Sequence, residues 1–248
     1  MSDYLRNYYE NYNEDGRLGT KYGMVEFLTT MLYINRYLAS GHKILEIGAG
    51  TGRYSHALAR QGYAVDAVEL IERNIEIFKK NTTKGDKVTI AQGDARNLCN
   101  FEDNTYDVTL MLGPMYHLFT VEDKLAALSE TLRVTKPGGV VFVAYCIADP
   151  SILDHGFIRG NIHELIEKGM LDTESFKTKS NPWDIFELHR KEDIDALMEN
   201  FDITRLRYVA TDGYANHIRE VMETWDDATF DVFLKYHFTI CERADMVG

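Results

Sequence analysis

Apolar residues at Met24, Phe27, Leu28, Met31, Ile34 and Leu38 recur at the spacing of one helix face, which predicts a helix that Gly41 ends. From residue 43 onward the pattern changes to short apolar runs alternating with helix-compatible stretches. Residues 43–47, 63–69, 88–91, 106–112 and 140–145 read as strands one to five, and residues 54–60 and 71–80 as two intervening helices. A third helix starts at Thr120-x-x-Asp123, a capping-box pattern. It carries Val121, Leu125, Leu128 and Leu132 on one face and is ended by Lys136-Pro137-Gly138-Gly139. Strands rich in Val, Ile and Leu that alternate with helices predict an α/β fold, doubly wound, with a mostly parallel sheet covered on both faces.

Outside this stretch the rhythm weakens. Residues 4–22 are dense in Tyr, Asn, Asp and Gly and read as partly irregular. Residues 148–183 read as an insertion near the mouth of the sheet, with a single short helical piece at 162–168. Residues 192–201 predict another helix and 203–209 a sixth strand. Phe230, Phe233, Leu234, His237, Phe238 and Cys241 then recur at helical spacing up to the end of the chain. One continuous domain is expected, organised as an N-terminal helical cap (1–40), a ligand-binding core (41–147), an insertion or lid (148–185) and a C-terminal part (186–248).

Composition narrows the class. The 248 residues are 45% hydrophobic, 12% aromatic and 27% charged, as in a water-soluble globule with a sizeable core. The longest apolar run, Val140 to Ala148, falls well short of the roughly 18 residues that span a bilayer. The N-terminus has no signal-peptide apolar region, so a cytoplasmic protein without membrane contact is expected. Cys99, Cys146 and Cys241 are far apart and form no Cys-x-x-Cys, which fits a reduced compartment and gives neither a disulfide framework nor a metal site. With 27 Lys+Arg against 39 Asp+Glu the formal charge is −12, which disfavours nucleic acid as a partner. The pattern leaves the oligomeric state open.

Candidate chemistry begins where the first strand ends. Glu46-Ile47-Gly48-Ala49-Gly50-Thr51-Gly52 sets three glycines in a strand-to-helix turn, where backbone can approach a ligand closely. Tight turns without a ligand produce the same glycines. The dinucleotide fingerprint Gly-x-Gly-x-x-Gly is out of register, because Arg53 follows Gly52. A dehydrogenase is therefore disfavoured. Glu46 would also repel a pyrophosphate but suits a cationic or zwitterionic ligand. Glu69 ends the second strand, 17 residues after Gly52, where an acid reaches ribose hydroxyls in doubly wound folds. Asp94, in Gly93-Asp94-Ala95 after the third strand, is placed to accept from an exocyclic amine. Each acid alone reads equally as a strand-end or turn residue; three at consecutive strand ends point to one ligand.

Glu46-x-Gly48-x-Gly50-x-Gly52, Glu69, Gly93-Asp94-Ala95 and Leu132-Arg133-x-x-Lys136-Pro137-Gly138-Gly139 together resemble the class I S-adenosylmethionine-dependent methyltransferases, over roughly residues 40–147. The resemblance implies a seven-stranded Rossmann-like sheet with S-adenosylmethionine at the carboxyl ends of its first four strands. It implies that Glu46, Gly48, Ala49, Gly50 and Gly52 hold the methionine part. Glu69, with Leu70 beside it, would bind the ribose, Asp94 the adenine amine and the Ala95 amide an adenine nitrogen. Leu112 would border the sulfonium. No β-run follows Ile240, so either the last strand lies outside this chain or the sheet has six strands.

Leu112-Gly113-Pro114-Met115-Tyr116-His117-Leu118 follows the fourth strand, where the acceptor would lie in this fold. His117 is the candidate base, because its unperturbed pKa is near neutrality, and Tyr116 is a candidate to orient the acceptor. The alternative reading has His117 hydrogen-bonded to a carbonyl and Tyr116 packed. Gly113-Pro114-Met115-Tyr116 departs from the Asn/Asp-Pro-Pro-Tyr signature of methyltransferases acting on amines in nucleic acids and proteins, which leaves that function a minor alternative. The Gly-Pro-x-Tyr-His-Leu segment instead resembles a bacterial class I subgroup, implying a small-molecule methyl acceptor. A cofactor-binding module without turnover is the other alternative. The aromatic stretch from Tyr8-Tyr9-Glu10-x-Tyr12 to Arg17 reads as an arm folded over the site or as a loose surface arm. It and the 148–183 insertion, with Asp154, His155, Arg159 and His163, are where acceptor selectivity is expected.

Overall fold

The computed structural model describes residues 3–12, 16 and 19–246. Helices α1 (Asp3–Asn11) and α2 (Lys21–Tyr37) lead into strand β1 (Lys43–Ile47), helix α3 (Arg53–Arg60), strand β2 (Ala64–Glu69), helix α4 (Glu72–Asn81), strand β3 (Val88–Gln92) and strand β4 (Tyr106–Met111). Helix α5 (Val121–Val134) then feeds strand β5 (Thr135–Val143). The strands form a parallel sheet in the order β3-β2-β1-β4-β5. Ile44, Leu45 and Ile47 of β1, Val65, Ala67 and Val68 of β2, and Val108, Leu110 and Met111 of β4 are all buried. That is why these strands read as continuous apolar runs rather than alternating ones.

The chain builds outward from β1 through β2 to β3, then crosses back to place β4 on the other side of β1. Such a reversal leaves a crevice outside the carboxyl ends of β1 and β4, the position at which open α/β sheets take their ligands. The glycine turn leaves β1 and the 112–117 segment leaves β4 at that same end.

By its contacts the chain forms two compact units that interleave in sequence. The first comprises residues 1–14, 34–146 and 180–188 and contains the sheet; the second comprises 15–33, 147–179 and 189–248. Within the second unit lie α6 (Ala148–Ser151), a π-wound stretch at Ile152–Ile158, α7 (Ile162–Glu167), α8 (Lys191–Met198), α9 (Arg219–Met222) and α10 (Asp227–Ile240). Its core gathers buried Val25, Ala215, Met222 and Leu234, with Tyr22, Leu28, Trp225 and Phe233 packed around them. No helix among the described residues is long and apolar enough to cross a membrane.

Several local expectations are corrected. Residues 4–11 are helical, because Leu5, Tyr8, Tyr9 and Tyr12 fall at the i, i+3, i+4, i+7 spacing of one face; residues 13–15 and 17 of the aromatic arm lie outside the described set. Half of the predicted capping box forms: Thr120 Oγ1 accepts from the Asp123 amide at 3.1 Å, while the Asp123 carboxylate accepts from Arg96. Helix α5 ends at Val134, ahead of Lys136-Pro137-Gly138-Gly139, which enter β5 as a bulge: Thr135 pairs with Tyr106, but Val140 pairs with Val108. Glycine is required at 139, where a Cβ would come within 2.8 Å of the Lys136 carbonyl oxygen and 2.9 Å of that of Asp107. The strand itself stops at Val143 rather than at residue 145.

Residues 203–209 form no strand. Their polar side chains reach other side chains instead: Arg205 and Tyr208 meet Asp195, and Arg207 meets Glu242. Alternation predicts a strand only where a partner supplies the ladder. Among the described residues the central sheet therefore has five strands rather than the six or seven expected. After β5, residues 148–158 are helical as well as 162–167, more helix than the one short piece predicted.

Candidate functional site

Local sequence explains the glycine turn. Gly48, Gly50 and Gly52 all take positive φ (73°, 54° and 92°). At Gly48 a Cβ would lie 2.7 Å from Pro114 Cδ, and at Gly52 it would lie 2.4 Å from the Phe78 ring and 2.5 Å from His56 Cε1. Two of the three glycines are thus required by close packing. Gly50 differs, because nothing lies within 4 Å of its missing Cβ: the turn has one open face. Ala49 packs inward with Ala67 and Phe78.

Two buried carboxylates flank the turn. Glu46 is 2% exposed and accepts a short hydrogen bond from the Ser55 hydroxyl in the first turn of α3. Burial pushes its pKa up to about 8, against the pull of Ser55 and with the charge of Glu69 adding to the rise. Glu69, 5% exposed, accepts from the Gly50 amide at 2.8 Å, the Ile71 amide at 2.9 Å and Asn74 Nδ2 at 3.3 Å. Burial raises its pKa too, while those amide hydrogen bonds oppose the shift. Leu70, next in the chain, is half-buried, and its carbonyl accepts from Gln92 Nε2 at 3.2 Å.

Asp94 is held by a neighbour that the sequence reading passed over. Arg96 donates from Nε to Oδ1 at 3.0 Å, from Nη2 to Oδ2 at 2.6 Å and from its amide to Oδ1 at 2.9 Å. Its Nη1 reaches Asp123 Oδ1 at 3.0 Å. This fork lowers the Asp94 pKa and keeps the carboxylate ionised. Ala95 is buried beside it.

At the end of β4, Leu112 is half-buried, and its carbonyl accepts from the Tyr116 hydroxyl at 3.1 Å. His117 is engaged at both nitrogens: Nδ1 lies 2.8 Å from the Ile185 carbonyl oxygen and Nε2 2.9 Å from the Tyr9 hydroxyl. Desolvation by burial lowers its pKa to about 4, partly offset by the Ile185 carbonyl, so the ring is neutral at pH 7. Its ring packs against Tyr9, Tyr116 and Phe186 at centroid distances of 5.6, 4.7 and 5.3 Å. Tyr8 in turn packs on Tyr12 and Phe186 at 5.0 and 5.7 Å. The sequence reading of Tyr116 as an acceptor-orienting hydroxyl thus meets a hydroxyl given to its own backbone. His117 makes the carbonyl hydrogen bond of its alternative reading through Nδ1, and its Nε2 meets the Tyr9 hydroxyl.

Residues 44–139 match the family described as "Methyltransferase domain". A demethylmenaquinone methyltransferase of Clavibacter sepedonicus is 36% identical over 105 residues, covering 42% of this chain and 41% of that protein. One from Staphylococcus aureus is 38% identical over 105 residues, covering 41% and 42%. The chain thus spans about two fifths of the length of the curated relatives it matches. The fold is shared with a putative S-adenosyl-L-methionine-dependent methyltransferase from Methanococcus maripaludis, at TM-score 0.54 and 21% identity over 83% of this chain and 88% of that one. Over residues 44–139 the chain is thus similar to S-adenosylmethionine-dependent methyltransferases, in sequence and in fold.

The methyltransferase cofactor is S-adenosylmethionine, and the residues present suit it. Two buried acids gather at the ends of β1 and β2, where a sulfonium and an ammonium would favour their ionised form, and the turn is open at Gly50. When bound, the cofactor supplies a methyl group on a positively charged sulfur. Four contributors escaped sequence reasoning. Ser55 and Arg96 carried a signal, being close in sequence to the acids they bind. Ile185 and Glu187, whose amide donates to the Tyr116 carbonyl at 2.8 Å, carried none, since nothing in a sequence links them to residues 116–117.

Proposed function

We propose that this methyltransferase acts on a small-molecule acceptor, with the β1–β2 end holding the cofactor and the β4 end facing the acceptor. In this reading Glu46, Gly48, Gly50 and Gly52 hold the methionine part, with Ala49 shaping the turn from inside. Glu69 and Leu70 border the ribose. Asp94 offers its remaining lone pairs to the adenine amine while Arg96 keeps it charged, and Ala95 offers its amide. Leu112 borders the sulfur.

The observation that carries the acceptor assignment is the neutral His117 ring walled by Tyr9, Tyr116 and Phe186, with Tyr8 behind Phe186. Aromatic walls favour a planar, largely apolar acceptor, and an uncharged imidazole nitrogen can accept a hydrogen bond from an acceptor O–H or N–H. A quinol of the kind named for the demethylmenaquinone methyltransferases meets both requirements. For such an acceptor His117 Nε2 would exchange the Tyr9 hydroxyl for the acceptor's own, positioning the nucleophile for an in-line displacement.

A second reading, cofactor binding without turnover, is favoured by the same geometry: both His117 nitrogens and the Tyr116 hydroxyl are satisfied within the protein. The two separate in one experiment. The intact chain is titrated with S-adenosylhomocysteine and then incubated with S-adenosylmethionine and a panel of quinols, phenols, amines and thiols. Binding with S-adenosylhomocysteine formation supports methyl transfer. Binding without formation across the panel supports the module, and absence of binding by a folded sample ends both.

A further inference from the structure

His117 is held by a segment more than sixty residues away in sequence, and that segment is under strain. Ile185 has φ 69° and ψ −44°, a left-handed backbone that a β-branched residue adopts at a cost of roughly 1–3 kcal/mol. The Phe186 amide donates to the Asp184 carbonyl at 2.9 Å, closing a three-residue γ-turn with Ile185 at its centre. The turn presents the Ile185 carbonyl to His117 Nδ1.

Strained turns persist only where their surroundings over-determine them, and here both flanks are tied. On the N-terminal side the Asn181 amide donates to Asp184 Oδ2 at 2.7 Å, and the Asp184 amide to the Asn181 carbonyl at 2.8 Å. On the C-terminal side the Glu187 amide donates to the Tyr116 carbonyl at 2.8 Å, one residue from His117. The Glu187 carboxylate also forms an ion pair at 2.6 Å with Lys124 of α5, whose side chain is 6% exposed. Glu187 is half-buried; such a pair adds little net stability over an apolar pair, yet losing Glu187 leaves the buried Lys124 charge alone. Its best-attested use is to fix one arrangement among several.

The consequence falls on the imidazole. A carbonyl oxygen only accepts, so Nδ1 carries the hydrogen; in a neutral ring Nε2 is then the lone pair, and the Tyr9 hydroxyl donates to it. We propose that the Ser180–Leu188 strap is the positioning element of His117, with the ion pair between buried Lys124 and half-buried Glu187 as its anchor. By pinning Glu187, Lys124 keeps the Ile185 carbonyl on Nδ1, fixes the Nδ1–H tautomer and keeps the Nε2 lone pair facing Tyr9, the place an acceptor O–H or N–H would take. The role of that lone pair rests on the proposed acceptor site; the tautomer control does not.

The test reads the tautomer directly, by long-range proton–nitrogen correlation NMR of the imidazole-labelled 248-residue chain, with His117→Gln assigning the signal. Wild type is expected to show the Nδ1–H form as the great majority, with the Nε2–H form as a small measurable remainder. Glu187→Gln and Lys124→Met are each expected to raise the Nε2–H form at least fivefold, whereas Lys124→Arg retains the wild-type spectrum. Tyr9→Phe removes the donor at Nε2 and is expected to leave the tautomer unchanged. A folded Glu187→Gln protein with the wild-type spectrum overturns the proposal, as does a tautomer switch in Tyr9→Phe, which would make Tyr9 the controlling group. Should Glu187→Gln fail to fold, Lys124→Met and Tyr9→Phe still decide. Titration of the same samples with S-adenosylhomocysteine reads the cofactor site separately, so its failure sinks the functional reading and leaves the strap tested on its own.

Discussion

The two ends of the crevice are built on opposite principles. At β1 and β2, Glu46 and Glu69 hold buried carboxylates against backbone amides and a serine hydroxyl, and both are displaced upward in pKa. At β4 the polar group is a single uncharged imidazole among aromatic rings. In the proposed reading the first end takes positive charge that arrives with the cofactor. The second keeps its imidazole uncharged and leaves hydrogen bonding and ring contact to discriminate. A group-transfer site benefits from this division, because the charged partner is gripped without forcing the other partner to be charged.

Substitutions in the glycine turn should disturb the charged end most. Gly52→Ala would drive a Cβ into the Phe78 ring at a left-handed residue and is expected to lose about 3 kcal/mol or more in urea unfolding. Gly50→Ala has room and should lose only about 1–2 kcal/mol from its φ, while weakening S-adenosylhomocysteine binding in calorimetry because its Cβ enters the open face. Equal stability losses at the two positions would show that the open face at Gly50 is not a ligand face.

Glu46→Gln separates charge from shape at the same end. A loss of S-adenosylmethionine affinity of tenfold or more, about 1.4 kcal/mol, is expected. With a folded pKa near 8, Glu46 is mostly protonated at pH 7 and should release its proton when a cation binds. Calorimetry at pH 7 in buffers of different ionisation enthalpy should detect that release in wild type and not in the variant. Because the folded value lies above the unfolded one, the stability contribution of Glu46 falls as pH rises from about 4.5 to about 8. The stability of Glu46→Gln relative to wild type should rise across the same window.

At the neutral end the sign reverses. His117 has a folded pKa depressed to about 4, so its contribution is present above the unfolded value near 6.5 and is lost as pH falls toward 4. The stability gap between wild type and His117→Gln should therefore narrow from pH 7 to pH 4.5, and a constant gap would show the ring to be more exposed than its partners suggest. Thr120→Ala, remote from both ends, should lose about 1 kcal/mol of cap stability and leave cofactor affinity unchanged.

The same contrast governs what the amino-acid sequence could reveal. The charged end is written in consecutive segments: strand, glycines, strand, acid, strand, acid. Their spacing follows from the fold's own periodicity, and even Ser55 and Arg96 lie within reach of a local reading. The neutral end joins residues 9, 116–117, 124 and 185–187, brought together only by folding. Tyr9 was legible as part of an aromatic arm, but its partner was not, and Ile185 reads as one more apolar residue until its backbone is seen. Residues 203–209 failed for a related reason, since their alternation needed a partner strand that the fold does not provide.

The bulge in β5 has a consequence for colloidal behaviour. With five strands in the sheet, β5 closes the ladder on its side, and a terminal strand is a template on which a second chain can add. Lys136 and Pro137 stand in that strand beside glycines that break its register. A proline offers no amide to a newcomer, and a lysine charge resists desolvation. The segment that joins α5 to the sheet thereby also makes half of the terminal strand a poor seed for aggregation.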